Sequence, residues 1–128
     1  MSKEIHKTTD LKVRMAVKAK YGGRCAYCGT KLYSKWAIDH IVPKRRDKTD
    51  PSEQGEDHID NYNPSCFKCN SSKNTWTVEQ FRERIADKTR MLGRYCPNYN
   101  WAKSFGLIEE TGNPVVFYFE KYEAKNNG

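Results

Sequence analysis

Apolar residues recur at helical spacing near the start of the chain. Asp10 can cap a helix that we expect to run to about Tyr21, and the Gly22-Gly23 pair is a strong signal for its end. The apolar face of this predicted helix contains Leu11, Met15 and Ala19. The helix should lead the chain directly into the cysteine-containing segment that follows.

A second helical pattern lies in the C-terminal half of the chain. Thr77 followed by Gln80 is a capping-box pair, and the pattern predicts one helix from there to Gly93. Its apolar positions are Val78, Phe81, Ile85 and Leu92. Its charged positions, which we expect to form a solvated face, include Arg82, Glu83, Arg84, Lys88 and Arg90.

Strand patterns are shorter and lie mainly between the two predicted helices. Residues 32–42 alternate loosely and predict a strand that ends at Pro43 and carries Asp39 and His40. Residues 59–63 predict a second short strand or a turn, and the polar residues 44–57 an exposed loop. In the tail we expect a short helix over residues 98–105 and a strand over residues 115–120. These elements predict an α+β fold, with residues 1–128 as a single domain.

The net charge of the chain indicates which class of partner it binds. The chain has 23 Lys and Arg against 16 Asp and Glu, a net charge of +7 that favours a polyanion such as nucleic acid. The longest uncharged apolar run, Val115–Phe119, is far shorter than the roughly 20 residues of a membrane-spanning helix. The first ten residues lack the apolar segment of a secretory signal, so we expect a cytoplasmic protein with no membrane partner.

Composition predicts a thin hydrophobic core that needs a covalent or metal crosslink. Charged residues make up 30% of the chain, yet 8 Tyr, 5 Phe and 3 Trp are too many for a disordered protein. We therefore expect the aromatic residues of the tail to pack in the core instead of stacking on bases. Those residues are Tyr95, Tyr99, Trp101 and Phe105.

The cysteines supply that crosslink. They form two C-x-x-C pairs, and in a reducing compartment two such pairs are typical of a structural zinc site with four thiolate ligands. The four predicted Zn²⁺ ligands are Cys25, Cys28, Cys66 and Cys69. Gly29 directly after the first pair suits a tight turn of positive φ. Cys96 is left over and is expected to be a structural or exposed free thiol.

Further chemistry-bearing residues surround the second cysteine pair. The chain reads D-H-I-V-P over residues 39–43, D-N at residues 60–61, and C-x-x-C-N-x-x-K over residues 66–73. In this order it resembles the HNH endonuclease family in its zinc-knuckle ββα-metal form. The resemblance implies an HNH nuclease core over residues 23–85, flanked by helices, and a C-terminal extension over residues 86–128 that includes the predicted strand.

The resemblance also implies a role for each matched residue. His40 is the general base, Asp39 a ligand of the catalytic metal, and Asn61 the residue that braces the hairpin. Asn70 takes the third motif position, as a second metal ligand, where the family name has His. An amide oxygen suits a hard cation, so this H-N-N pattern predicts Mg²⁺ or Mn²⁺. We interpret His58, in an acidic stretch, as a loop residue.

These roles agree with what phosphodiester hydrolysis requires. The reaction needs a base for the attacking water, and a cation offsets negative charge on the phosphate and leaving oxygen. A neutral histidine is such a base near pH 7. Because neighbouring strand residues point to opposite faces, Asp39 and His40 can share one site only near a bend or strand end.

Basic residues next to these motifs predict contacts with the DNA backbone. Lys44, Arg45 and Arg46 directly follow the predicted active-site strand, and Lys73 lies after the second cysteine pair with Lys68 inside it. No recognition helix or repeated finger is evident, so no sequence preference follows.

Two classes of function therefore compete. The first is a metal-dependent endonuclease that acts on DNA, most simply double-stranded, and for which the resemblance implies 5′-phosphate and 3′-hydroxyl products; an RNA substrate is a variant of it. The second is a non-catalytic, zinc-stabilised nucleic-acid-binding module. The Asp39-His40 pair favours the enzyme, because a pure binder needs no base beside a hard-metal ligand. Neither class implies a small-molecule substrate.

Overall fold

A computed structural model describes residues 4–44 and 54–127 of the chain. In these two ranges the chain forms helices around a two-stranded antiparallel sheet. The helices are α1 (Leu11–Ala19), α2 (Phe67–Lys73), α3 (Val78–Ala86), α4 (Lys88–Tyr95), α5 (Pro97–Ser104) and α6 (Tyr118–Asn127), and the strands are β1 (Ala37–His40) and β2 (Tyr62–Ser65). None of the described helices is long and apolar enough to cross a membrane.

Helix α1 begins where the sequence predicts but buries a different face. The Asp10 carboxylate accepts hydrogen bonds from the backbone N–H groups of Lys12 and Val13, and Gly22 and Gly23 have positive φ after the helix. The predicted apolar face is wrong, because its three residues are exposed, and Val17 is buried instead. The exposed residues are Leu11, Met15 and Ala19.

The central sheet is a short hairpin followed at once by a helix. Strand β1 pairs with β2 so that Asp39 lies opposite Asn63 and His40 opposite Tyr62. A single 3-10 turn, Ile59–Asn61, precedes β2, so the predicted strand or turn over 59–63 contains parts of both. Helix α2 then begins at Phe67, with the Cys66 side chain as its N-cap. This β-β-α order confirms the predicted core of the fold.

The long predicted helix after Thr77 is two helices. The capping box of Thr77 and Gln80 is present at the start of α3, but the chain turns at Asp87 and α4 begins at Lys88. Phe81 is buried as expected, whereas Leu92 on α4 is exposed. Arg82 also departs from its predicted solvated role, because its guanidinium bonds both oxygens of Glu120 at 2.7 and 2.9 Å and so ties α3 to α6.

The aromatic tail is largely outside the core. Helix α5 forms close to its predicted position, but Tyr95, Trp101 and Phe105 are each exposed, which corrects the expectation that they pack inside. The reason is geometric: α4 and α5 pack mainly on each other, and Trp101 stacks on Phe105 with ring centroids 5.8 Å apart.

The predicted C-terminal strand is wrong, because helix α6 starts at Tyr118 inside it. The first residues of α6 bond to the first cysteine loop instead of a sheet: the Tyr118 N–H donates to the Tyr27 carbonyl and the Phe119 N–H to the Ala26 carbonyl. Gly29 has the expected positive φ, and a Cβ there would lie 3.0 Å from the Tyr118 ring. The C-terminal extension thus packs against the first cysteine loop.

The core is built around one tyrosine. The Tyr27 ring contacts Phe81, Phe117 and Phe119 edge-on, at centroid distances of 5.4, 5.2 and 6.1 Å. Each fully buried aromatic side chain stabilises the fold by about 1.5–3 kcal/mol. Because Tyr27 lies between Cys25 and Cys28, this cluster holds the first cysteine loop against the rest of the chain.

Candidate active site and metal centre

The four predicted zinc ligands meet at one point between the first loop and the start of α2. Their sulfur atoms all lie within 4.8 Å of one another, and the Sγ atoms of Cys28 and Cys66 are 3.8 Å apart. A tetrahedral zinc ion with Zn–S bonds of about 2.3 Å requires sulfurs about 3.8 Å apart. The geometry therefore fits a structural zinc ion, which would clamp the two loops together without an open coordination position.

Hydrogen bonds prepare this cluster for metal binding. The Cys69 thiol and the backbone N–H groups of Tyr27, Cys28 and Cys66 all favour the thiolate of Cys25 and lower its pKa to about 4. The same bond raises the pKa of Cys69, which holds the shared proton. A metal ion would displace that proton and bind four thiolates.

Asp39 lies on the buried side of β1, with only 2% of its surface exposed. Its Oδ1 atom is 3.1 Å from the Lys73 ammonium, and its Oδ2 atom accepts a hydrogen bond from the Tyr27 hydroxyl. Burial raises the pKa of Asp39, and the Lys73 charge opposes that rise. The carboxylate is therefore held inside the protein by one cation and one hydroxyl.

Lys73 is the buried cation that pairs with Asp39. Its side chain is fully buried, and its Nζ atom also donates to the carbonyl oxygens of His40 at 3.0 Å and Ile41 at 3.4 Å. This burial corrects the predicted DNA contact of Lys73, because an ammonium enclosed by the hairpin cannot reach a phosphate. Its position at the end of α2 instead fastens that helix to β1.

His40 faces the other side of the strand. Its Nε2 atom is 2.9 Å from Asp57 Oδ1, and the Tyr62 ring packs edge-on against the imidazole at 5.2 Å. The second oxygen of Asp57 bonds the Lys44 ammonium at 2.8 Å, and the hydrogen bonds from Lys44 and His40 lower the pKa of Asp57. His40 and Lys44 thus share one carboxylate at the wall of a cavity of about 360 Å³.

The two motif asparagines have different surroundings. Asn61 bonds both backbone groups of Val42: its Oδ1 accepts from the N–H at 2.8 Å and its Nδ2 donates to the carbonyl at 3.0 Å. This is the geometry that a bracing role requires. Asn70 lies within α2 and is half-buried. In the described part of the chain, no hydrogen bond joins its side chain to Asp39 or His40.

The donor chemistry of Asp39 and Asn70 suits a divalent ion, but their arrangement does not. Both carboxylate oxygens of Asp39 already bond Tyr27 or Lys73, and the ammonium supplies the positive charge that an ion would bring. Over residues 4–44 and 54–127, the four cysteines are also the one group of three or more His, Cys, Asp or Glu side chains close enough for a shared ion. As arranged here, Asp39 does not fit a catalytic metal.

Sequence reasoning missed the partners that define both sides of the site. Tyr27 and Lys73 enclose Asp39, and Asp57 orients His40, although all three are far from their partners in sequence. The order D-H-I-D-N over residues 57–61 marks Asp57 only as one acid among several. Arg45 and Arg46, two of the predicted DNA contacts, lie outside the described residues.

Comparisons with known proteins find a matching family model and a similar solved structure. The family model of the HNH endonuclease matches residues 25–75, less than half of the chain, and that range holds both cysteine pairs, Asp39, His40 and both asparagines. Among solved structures, the Type II-C Cas9 enzyme from Actinomyces naeslundii is similar, with a TM-score of 0.51 and 25% identity over 65% of this chain. This chain covers 8% of that enzyme's length. No curated protein matches the sequence. Together the two similarities support a nuclease type of activity.

Proposed function

We propose that this chain, whose residues 25–75 match the family model of the HNH endonuclease, hydrolyses phosphodiester bonds in DNA. The observation that carries the proposal is the position of His40: its imidazole lines an open cavity, bonded to Asp57, at the end of a hairpin adjoining four clustered cysteines. A general base needs both an approach for the substrate and a fixed ring orientation, and the cavity and Asp57 supply these two requirements.

In the proposed reaction His40 is the general base. With Nε2–H donated to Asp57, the lone pair on Nδ1 is free to accept a proton, and within the described residues no hydrogen bond occupies that atom. Nδ1 removes a proton from water as the water oxygen attacks phosphorus. The bond from phosphorus to the 3′ oxygen breaks, and that oxygen takes up a proton from solvent water to leave as a hydroxyl. The products carry a 5′-phosphate and a 3′-hydroxyl.

Basic residues around the cavity hold the backbone of the substrate. Lys44 lies next to His40 through Asp57 and is half exposed, so it can approach a phosphate that His40 attacks. We propose the same role for Arg45 and Arg46, which follow it in the chain. Duplex DNA is the proposed substrate, because its high charge density matches the net charge of +7.

The expectation that Mg²⁺ or Mn²⁺ binds Asp39 and Asn70 rests on the family resemblance and on the oxygen donors of both side chains, and the ion pair of Asp39 with Lys73 argues against it. Because Lys73 and Tyr27 occupy the Asp39 carboxylate, the proposed hydrolysis depends on His40 and the basic side chains around the cavity. The enclosed carboxylate also favours the second candidate function, a zinc-stabilised module that binds nucleic acid without cutting it.

Plasmid cleavage separates the two candidates. Supercoiled plasmid is incubated with the zinc-loaded protein, with and without Mg²⁺ or Mn²⁺, and a labelled RNA duplex is tested in parallel. We expect nicking or linearisation by the wild type, a loss of at least about 100-fold in His40→Ala, and unchanged zinc content.

The matched control is His58→Asn, a change of the neighbouring histidine that caps the 3-10 turn, with expected cleavage within about threefold of wild type. Equal cleavage by His40→Ala and wild type would remove His40 from the reaction. Tight binding without cleavage under every condition would establish the binding module instead, and cleavage confined to RNA would correct the substrate.

A further inference from the structure

A segment outside the region matched by the HNH family model forms one wall of the cavity beside His40. The cavity is lined from the hairpin side by His40, Lys44 and Asp57, and from the N-terminal side by Lys7, Thr8 and Thr9. The family model begins only at residue 25. The N-terminal wall therefore lies outside the segment that matches the family model, and it faces the proposed base.

Hydrogen bonds at His6 fasten this wall to the site. The His6 N–H donates to the Asp57 carbonyl at 2.8 Å, and its Nδ1 accepts from the Ile59 N–H at 3.0 Å. The His6 carbonyl accepts from the Tyr62 hydroxyl at 2.5 Å. Two of these three bonds join the segment to Asp57, which orients His40, and to Tyr62, which packs against it, so the position of the segment is coupled to the site.

A turn then fixes the residues that face the cavity. The Asp10 N–H bonds the Lys7 carbonyl at 3.1 Å, which places Thr8 and Thr9 at the corner of a turn. The Asp10 carboxylate caps α1 immediately afterwards. Lys7, Thr8 and Thr9 are thus held between an anchored residue and a helix start, and are pre-organised for a ligand.

The chemistry of the cavity suits a phosphate. Among the described residues it offers two ammonium groups, from Lys7 and Lys44, and two threonine hydroxyls, together with the carboxylate of Asp57 and the apolar side chain of Ile5. That carboxylate already bonds Lys44 and His40. The described lining residues therefore carry a net positive charge together with hydroxyl donors, the combination that backbone phosphates receive from proteins.

We propose that the N-terminal segment Lys7–Thr9, with Lys44, binds a phosphate of the DNA backbone next to the one that His40 attacks. The inference rests on the proposed function and deepens it, because it names a substrate subsite outside the segment that matches the HNH family model. The subsite positions the scissile strand across the cavity and holds its register against the base.

Binding and cleavage are measured together. Fluorescence anisotropy with a short duplex, in a His40→Ala background that prevents cleavage, gives the dissociation constant and its salt dependence for Lys7→Ala and for the double variant Thr8→Val with Thr9→Val. We expect Lys7→Ala to weaken binding about three- to tenfold and to lower the slope of log affinity against log salt by about 1. In the cleaving protein the same change should raise KM with little change in kcat.

The matched control is Lys125→Ala, an exposed lysine on α6 outside the cavity, which should leave affinity and salt slope unchanged. Lys7→Arg should restore binding, and equal melting temperatures would show that the variants are folded. Identical affinity and slope for Lys7→Ala and Lys125→Ala would overturn the subsite while leaving cleavage intact. Binding without cleavage would overturn the nuclease proposal alone, and absence of both would overturn both.

Discussion

Asp39 and His40 are neighbours on one strand and lie in opposite environments. Asp39 is enclosed by Tyr27 and Lys73, whereas the imidazole of His40 lines an open cavity and bonds a partly exposed carboxylate. Strand alternation produces this difference, because successive side chains point to opposite faces. One dipeptide therefore contributes to the stability of the fold on one side and presents a proposed base on the other.

On the enclosed side, hydrogen bonds offset the free-energy cost of burying two charges. Removing two charges from water costs several kcal/mol for each ion, and an ion pair offsets this only with further hydrogen bonds. Lys73 obtains them from the His40 and Ile41 carbonyls, and Asp39 from Tyr27. The pair therefore fastens α2 to β1 and contacts the backbone of the residue that faces the cavity.

Removal of the zinc ion should have the largest effect, because it should unfold the structure that contains both sides of β1. The binding free energy of a structural zinc ion, about 10–16 kcal/mol, is available to folding, and here it would hold together the loops on which both sides depend. We expect zinc removal, or Cys25→Ser, to abolish the cooperative melting transition in circular dichroism.

Cys96→Ser is the control, because Cys96 is outside the cluster, and it should melt like wild type. Metal analysis should find one zinc per chain in protein purified under reducing conditions. Substantially less metal in a fully folded protein would refute the zinc site.

A change on the enclosed side should cost stability. Lys73→Met leaves the Asp39 carboxylate buried without its cation, and we expect a loss of about 3–5 kcal/mol in the free energy of unfolding, measured by urea denaturation. Adding Asp39→Asn should recover part of that loss, because the unpaired charge is then removed.

Lys68→Met is the matched control on the same helix, where the side chain is exposed, and should change stability by no more than about 0.5 kcal/mol. Similar stability for the Lys68 and Lys73 variants would mean that the buried pair does not form in solution.

A change on the side of β1 that faces the cavity should have the smallest effect on stability, and the size of this effect should depend on pH. The pKa of Asp57 is lowered in the folded state. The Asp57 carboxylate therefore contributes to the free energy of unfolding at pH values above the ordinary carboxylate pKa, and this contribution is lost as pH falls through the folded pKa. Asp57→Asn should therefore lower the free energy of unfolding at neutral pH by less than about 1 kcal/mol. Below about pH 4 the variant should lose less stability than the wild type does.

The measurement is the difference in unfolding free energy between wild type and variant from pH 7 to pH 3. Glu109→Gln, a change of an exposed carboxylate, is the control for other acids. A variant whose difference from wild type does not shrink on acidification would contradict the ion pairs of Asp57.

Local signals in the sequence predicted much of the fold. The Asp10 cap, the Thr77 capping box, the positive φ of Gly29 and the cysteine cluster were all predicted, because each depends on residues within a few positions or on a repeated ligand spacing. The C-terminal strand was wrong for a related reason: an apolar run shows burial but does not separate strand from helix. The exposed tail aromatics likewise depend on packing between helices.

The sequence by itself determined which chemistry this protein carries: the four thiolates, the Asp39-His40 pair, the two asparagines and an excess of basic residues. Only the tertiary structure decided which of these groups face solvent. Lys73 was predicted to contact DNA and is buried, whereas Lys7, Thr8 and Thr9 were not predicted and line the cavity. The physical reason is that charge and ligand type belong to a residue, but burial and partners come from segments far apart in the chain.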